Sequence, residues 1–259
     1  MRRFLLAVLL ACPLYAHDAL DEQIEAVTRA IANEPRNPML YLRRGELHRL
    51  HRNWKQAEGD YERARTLDRE LYAVDLAHGR MLLDSGRVRE AIAVLQRYVQ
   101  IAPQDGGGHL ALARASMRAG RTSAAIASFE RALSPRPDPE VALEYVDALL
   151  AGKRRDDALR YLDSLEPLVT YRLAAIDLEL RAGNPASALR RVEAAEAAAT
   201  RKEEWMERRG DILMKMGRKA EAMAAYRAAL DALATLPPER RRTRARMAME
   251  QRLLSILRP

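Results

Sequence analysis

Cysteine is nearly absent from this sequence: Cys12 stands alone among 259 residues. A single thiol excludes an internal disulfide framework and any cysteine-based metal knuckle. Large aromatics are also scarce, with two Trp and two Phe, so the stacking platforms that hold single-stranded nucleic acids are largely missing. The N-terminal apolar run, Phe4 to Ala11, has eight residues, whereas a membrane-spanning helix needs about 20. Catalytic signatures are missing too. There is no His-Glu-x-x-His, no Gly-x-Ser-x-Gly elbow, no dinucleotide fingerprint and no P-loop. What remains is 48% hydrophobic and 31% charged, with Ala and Leu supplying most of the apolar count. That mixture suits close-packed helices better than strands, which favour β-branched and aromatic residues.

The formal net charge of +8 invites a polyanion as partner until it is located along the chain. Arg2 and Arg3 account for +2, and residues 237–259, with seven Arg and two Glu, account for +5. Residues 17–236 therefore carry only +1. The two N-terminal arginines precede the Phe4–Ala11 run, Pro13 breaks it, and Ala16 stands before polar His17-Asp18. This is the pattern of a cleaved secretory signal over residues 1–16, with an expected location in the periplasm or the medium. Leu9-Leu10-Ala11-Cys12 also resembles a lipobox, and Cys12 would then carry a lipid and supply the sole route to a membrane.

A period of about 34 residues organises the rest. Gly86, Gly120, Gly152, Gly183 and Gly217 are separated by 34, 32, 31 and 34 residues. Each is expected to end a helix in the left-handed conformation that glycine adopts without steric cost. A second series, Gly45, Gly79 and Gly210, falls inside the preceding helix, where a missing side chain lets a neighbouring helix approach. Ala57, Ala91, Ala125, Ala158, Ala188 and Ala222 share one slot. Four residues later stand Tyr61, Leu95, Phe129, Leu162, Val192 and Tyr226, and three further on Ala64, Tyr98, Ala132, Leu165, Ala195 and Ala229. Small, large and mostly small residues at i, i+4 and i+7 form one face of a helix packed against a close neighbour. Pro35, Pro103 and Pro137 punctuate the unit ends.

This pattern of Gly, Ala, aromatic and Pro resembles the tetratricopeptide repeat family, whose unit is a 34-residue helix–turn–helix. The resemblance implies an all-α fold: a right-handed α-solenoid of stacked helix–turn–helix repeats, one solenoid rather than two domains. Residues 17–37 are expected to form an N-terminal half-repeat helix, and residues 38–236 about six repeats, of which those near 138–202 are degenerate. Residues 237–259 are expected to form a basic capping helix, because Ala245, Met249, Leu253 and Ile256 fall on one apolar face. The rival reading of that helix is a nucleic-acid-binding arm.

In the family the first helix of each unit lines a concave groove that binds peptides or partner proteins. Carried onto this chain, the groove positions hold Arg43, Glu46 and Arg49, then Arg80 and Asp84, then Arg114 and Arg118. Later units place Asp177, Arg181, Asp211 and Lys215 on equivalent positions. The Arg-rich first half implies a protein or peptide ligand of acidic character, since Arg captures carboxylates in bidentate fashion. The Lys/Asn clamp of the family's chaperone-binding members is replaced by Leu42, Glu46, Ala77, Gly107 and Ala111.

Other candidates point to structure rather than chemistry. Gly106-Gly107-Gly108 lacks the Lys-Ser/Thr pair of a phosphate loop and is expected to open a helix. His48 and His51, three apart, have no evident third metal ligand. The adjacent acids Asp156-Asp157 and Glu203-Glu204 point apart on a helix, so neither forms an acid/base couple. No cofactor, metal or small-molecule substrate is implied, and the expected role is a non-catalytic exported scaffold.

Overall fold

The computed structural model describes residues 12–165 and 167–258, with side chains from residue 19 onward. Most of the expected leader therefore lies outside the described residues. Within them the chain forms fifteen helices and no strand, and no helix is long and apolar enough to cross a membrane. Backbone proximity divides the chain into two compact units, Met1–Lys153 and Arg154–Pro259.

The first unit holds α1 (Cys12–Asn33), α2 (Pro38–Leu50), α3 (Trp54–Leu67), α4 (Ala73–Asp84), α5 (Val88–Ile101), α6 (Gly106–Arg118), α7 (Thr122–Ala132) and α8 (Pro139–Ala151). Helices α2/α3, α4/α5 and α6/α7 form hairpins, and each hairpin packs on the next. Side-chain caps set the starts of three first helices. Asn37 accepts from the Met39 amide, Asp105 from Gly107 and Asp138 from Glu140, satisfying donors that the helix itself leaves open. Pro38 and Pro139 follow two of these caps at positions where a missing amide is harmless.

The second unit holds α9 (Arg155–Ser164), α10 (Val169–Arg181), α11 (Pro185–Ala198), α12 (Glu203–Lys215), α13 (Lys219–Ala234), α14 (Pro238–Arg241) and α15 (Arg244–Leu257). Here α10/α11 and α12/α13 are the hairpins, and α15 packs on α13. Met249 and Leu253 of α15 are buried and Ile256 is half-buried, whereas Ala245 is exposed, which corrects one member of the expected apolar face. Arg246, one residue on, is largely buried instead and pairs with buried Glu203 at 3.4 Å.

The hairpin turns explain the glycine period and correct it at one point. Gly86, Gly120, Gly183 and Gly217 all have φ between 70° and 84°. Gly152 does not; it caps α8 with φ −79°, and the left-handed residue is Lys153 at φ 59°. Arg52 holds the corresponding place after α2 at φ 60°.

The second glycine series has a steric cause. A Cβ on Gly45 would lie 2.6 Å from the Tyr61 ring, and one on Gly79 would lie 2.5 Å from Leu95 Cδ2. Gly210 and Tyr226 repeat the arrangement in the second unit. In these three hairpins the large residue of the second helix thus nests on the bare backbone of its own first helix. All six slot alanines, from Ala57 to Ala222, are fully buried, as are or nearly are the six large residues that follow them.

Candidate binding grooves

The first helices of the first unit carry one equivalent position four times: Glu46, Arg80, Arg114 and Asp147, spaced by 34, 34 and 33 residues. Three of these four, with their neighbours, line a cavity of about 670 Å³, within the range of about 300–1,000 Å³ usual for ligand clefts. Its floor includes Leu83, Leu110, Ala111 and Met117. Its charged lining consists of Arg49, Arg80, Arg114 and Arg118 against Asp84, Glu140, Glu144 and Asp147. Four cations face four carboxylates, so the expectation of a net basic groove for an acidic partner is corrected.

Pairing removes much of the Arg character. Arg49 donates to Asp84 of the next hairpin at 2.5 Å and to Glu46 at 3.2 Å. Burial opposes its charge, but the bonds to Glu46 and Asp84 outweigh that and raise its pKa. Arg114 grips Glu144 of α8 in a bidentate pair, 2.8 Å on each arm, and that bonding raises its pKa despite partial burial. Arg118 donates to the Leu83 carbonyl at 2.7 Å. Arg80 lies over Gly107 and makes no hydrogen bond or ion pair among the described residues.

Two of the six sequence-derived site residues fall outside the lining. Arg43 is exposed on α2 away from the cavity. Glu46 turns toward the hairpin interior, where it accepts from the Tyr61 hydroxyl at 2.6 Å and from Arg49. Burial and then the Glu46 carboxylate push the Tyr61 pKa well above its ordinary value.

The glycine run has a packing explanation. Gly106–Gly108 form the first turn of α6, and the Asp105 carboxylate already occupies that turn by accepting from the Gly107 amide at 2.9 Å. A Cβ on Gly108 would lie 2.5 Å from the Tyr98 ring. The Tyr98 hydroxyl donates to Asp105 at 2.5 Å. That bond, then the Gly107 and Gly108 amides and nearby Arg80, hold the Asp105 carboxyl below its usual range. Tyr98 is pushed up to about 12 by burial and by Asp105. His48 and His51 diverge, His48 toward Asp60 at 4.0 Å and His51 toward Asp21 at 3.5 Å. Among the described residues no cluster of three or more metal-ligating side chains occurs.

The second unit has its own cavity, of about 610 Å³. Asp177, Asp211 and Lys215 line it as the family positions imply, while Arg181 does not. Its apolar lining consists of Val169, Leu173, Leu180, Trp205, Ile212 and Met214, of which Val169 is 56% exposed. Both aspartates are neutralised within the unit. Arg208 donates to Asp177 at 2.7 Å, and Arg252 of α15 reaches Asp211 at 2.6 Å as well as Glu207. Tyr226 also donates to Asp211 at 2.8 Å. With Arg241 bonded to Glu250 at 2.5 Å, three of the seven arginines in residues 237–259 are committed to internal carboxylates.

Sequence reasoning missed Glu140, Glu144 and Asp147 in one groove and Trp205, Arg208 and Arg252 in the other. A signal existed for Asp147. The slot interval shortens from 34 to 33 between Ala125 and Ala158, and the same contraction carries the Arg114 position onto Asp147.

Stacked hairpins with left-handed turns, small-on-large nesting and first helices that line grooves define a helical-repeat binding protein. Family models agree along most of the chain. Those for the tetratricopeptide repeat match residues 14–71, 51–106 and 82–143, and one for a tetratricopeptide repeat-like domain matches residues 158–249. The chain belongs to the tetratricopeptide repeat family, and its fold is the all-α solenoid type expected of it. The C-terminal part of a TPR repeat-containing protein from Cytophaga hutchinsonii superposes with a TM-score of 0.64 at 18% identity, covering 91% of this chain and 96% of that one. Pseudomonas aeruginosa PilF gives 0.55 at 19% identity, over 76% and 93%. A chain from the Naa15/Naa10 complex bound to HypK-THB gives 0.51 at 18% identity; it covers 93% of this chain, which spans 37% of its length. These likenesses concern the fold. Among curated proteins no sequence matches.

Proposed function

We propose that this protein is an exported scaffold that holds a protein or peptide partner in the groove of its first unit and performs no catalysis itself. The observation that carries the reading is the cavity of about 670 Å³ across four successive first helices, lined by charged side chains over an apolar floor. Such clefts fix a ligand by a few placed polar groups while burying its apolar surface. The basic, apolar and small-residue order of residues 1–16 supports export to the periplasm or beyond. Acylation at Cys12 is the alternative form of the same export, and mass spectrometry of the mature N-terminus distinguishes a lipidated Cys12 from a free His17.

In-cell crosslinking and co-purification test the scaffold role. Wild type is compared with a variant carrying Arg80→Glu, Arg114→Glu and Arg118→Glu. The expected result is one or more envelope proteins recovered with wild type and lost with the triple variant. A partner set unchanged by the variant would remove the groove from the account, and the absence of any partner with wild type would remove the scaffold.

A further inference from the structure

The charges of the first groove are satisfied unevenly. Arg49 has Asp84 and Glu46, and Arg114 has both oxygens of Glu144. Arg80, on α4, has no bonded partner among the described residues, and Arg118 spends one N–H on the Leu83 carbonyl. On α8, Glu140 and Asp147 line the same cavity and likewise have no bonded partner among the described residues. Asp105 acts on Arg80 and Arg114 on Glu140 without bonding to them, which leaves Arg80 on α4 and Asp147 on α8 lining the cavity from its two sides.

Arg80 and Asp147, on the outer two of the helices α4, α6 and α8, are too far apart to meet through a single side chain. Packed helices lie about 8–10 Å apart, so α4 and α8, with α6 between them, place Arg80 and Asp147 on the order of 20 Å apart. An extended chain rises at most about 3.3–3.6 Å per residue, and about six residues cover that span. A free anion or a small zwitterion touches one end only. The apolar floor of Leu110 and Met117 lies between the two ends.

We infer that the first groove binds an extended peptide segment of bipolar charge, an acidic side chain docking at Arg80 and a Lys or Arg about six residues away docking at Asp147. This rests on the scaffold reading above and replaces its acidic ligand with one of mixed sign. Complementary charges fix register and direction and penalise the reversed peptide, for which like charges meet.

A displayed library of random 12-residue peptides, selected on the immobilised full chain, tests it. Recovered peptides are expected to pair an acidic residue with a basic one about six positions away, in one order. Selection on Arg80→Glu is expected to lose the acidic preference and keep the basic one, and Asp147→Lys to do the opposite. For a recovered peptide each variant is expected to weaken binding about tenfold or more, the loss of a charge-assisted hydrogen bond. Arg43→Glu, exposed outside the groove, is the control that leaves the selected pattern unchanged. These positions are on the groove surface, and unchanged thermal melting confirms folding. Recovery of uniformly acidic peptides, of peptides without paired charges, or of none would overturn the proposal. If no peptide is recovered while in-cell crosslinking still finds a partner, the bipolar ligand fails and the scaffold stands. If both are empty, the scaffold itself fails.

Discussion

The two units use the same repeat differently. In the first, the groove position reads Glu46, Arg80, Arg114, Asp147, so its sign changes along the stack and some charges find no local partner. In the second it reads Asp177, Asp211, and each aspartate is closed off by an arginine of its own unit, Arg208 or Arg252. Packing positions show a parallel contrast. The large slot holds Tyr61, Leu95 and Phe129 in the first unit and Leu162, Val192 and Tyr226 in the second, where Val192 is the smallest of the six. The lesson is that steric slots and charged slots obey separate rules. Steric slots must be filled for hairpins to stack, and charged ones are free to be spent on a ligand or on the protein itself.

The largest expected effect probes the steric half of that contrast. Phe129→Ala should cost about 3–5 kcal/mol, whereas Val192→Ala, on the same slot, should cost about 2 kcal/mol because fewer buried carbons are lost. The two tryptophans make this measurable, since Trp54 reports the first unit and Trp205 the second. Urea titrations followed through single-tryptophan variants should show Phe129→Ala shifting the Trp54 transition and Val192→Ala the Trp205 transition. Equal shifts at both reporters would erase the distinction between units.

Next in size is the glycine nest. Gly79→Ala forces a Cβ to within 2.5 Å of Leu95 and should cost about 1–3 kcal/mol by overpacking. Gly59→Ala, with open space around the added carbon, should not destabilise its helix and serves as the comparison in the same denaturation experiment. A smaller effect of opposite sign is expected at the turns. Lys153→Gly and Arg52→Gly relieve left-handed backbone strain and should each raise stability by about 1 kcal/mol. Thermal melting of each variant checks the sign.

The smallest expected effect separates the units by pH. All five histidines lie in the first unit. Burial holds the pKa of His48 and His78 below the ordinary 6.5, against the pull of Asp60 and Glu58 and with the help of Arg44 and Arg65. The unfolded chain therefore binds protons that the folded chain refuses as pH falls below 6.5. The stability contributed is present above that value and is lost as pH drops through the depressed folded pKa. The Trp54 transition should weaken between pH 7 and 5 while the Trp205 transition holds. Asn substitution at both histidines should flatten the difference.

How much of this was legible from residues follows from the same division. Steric slots repeat at fixed spacing, so Gly45, Gly79, Ala57 to Ala222 and the large residues after them disclosed the hairpins directly. The turn glycines disclosed themselves except where Lys153 took the left-handed place beside Gly152. Groove residues were half readable. Arg49, Arg80, Arg114 and Arg118 do line the first cavity, but the partners that bridge hairpins lie about one repeat away. Arg114 meets Glu144 and Arg49 meets Asp84, pairings that no local pattern announces. Arg252 reaches Glu207 and Asp211 from a helix outside the repeat register. Charge counted along the sequence therefore overstated the basic character of the groove.

The most direct test of the central claim is site-specific photo-crosslinking in cells. A photoreactive residue placed at Leu110, on the floor of the first groove, should yield a discrete covalent adduct with a partner protein. The same residue at exposed Gln96, on α5 and outside the groove lining, should yield none. Adducts at Gln96 and none at Leu110, or none at either, would contradict a partner seated in the first groove.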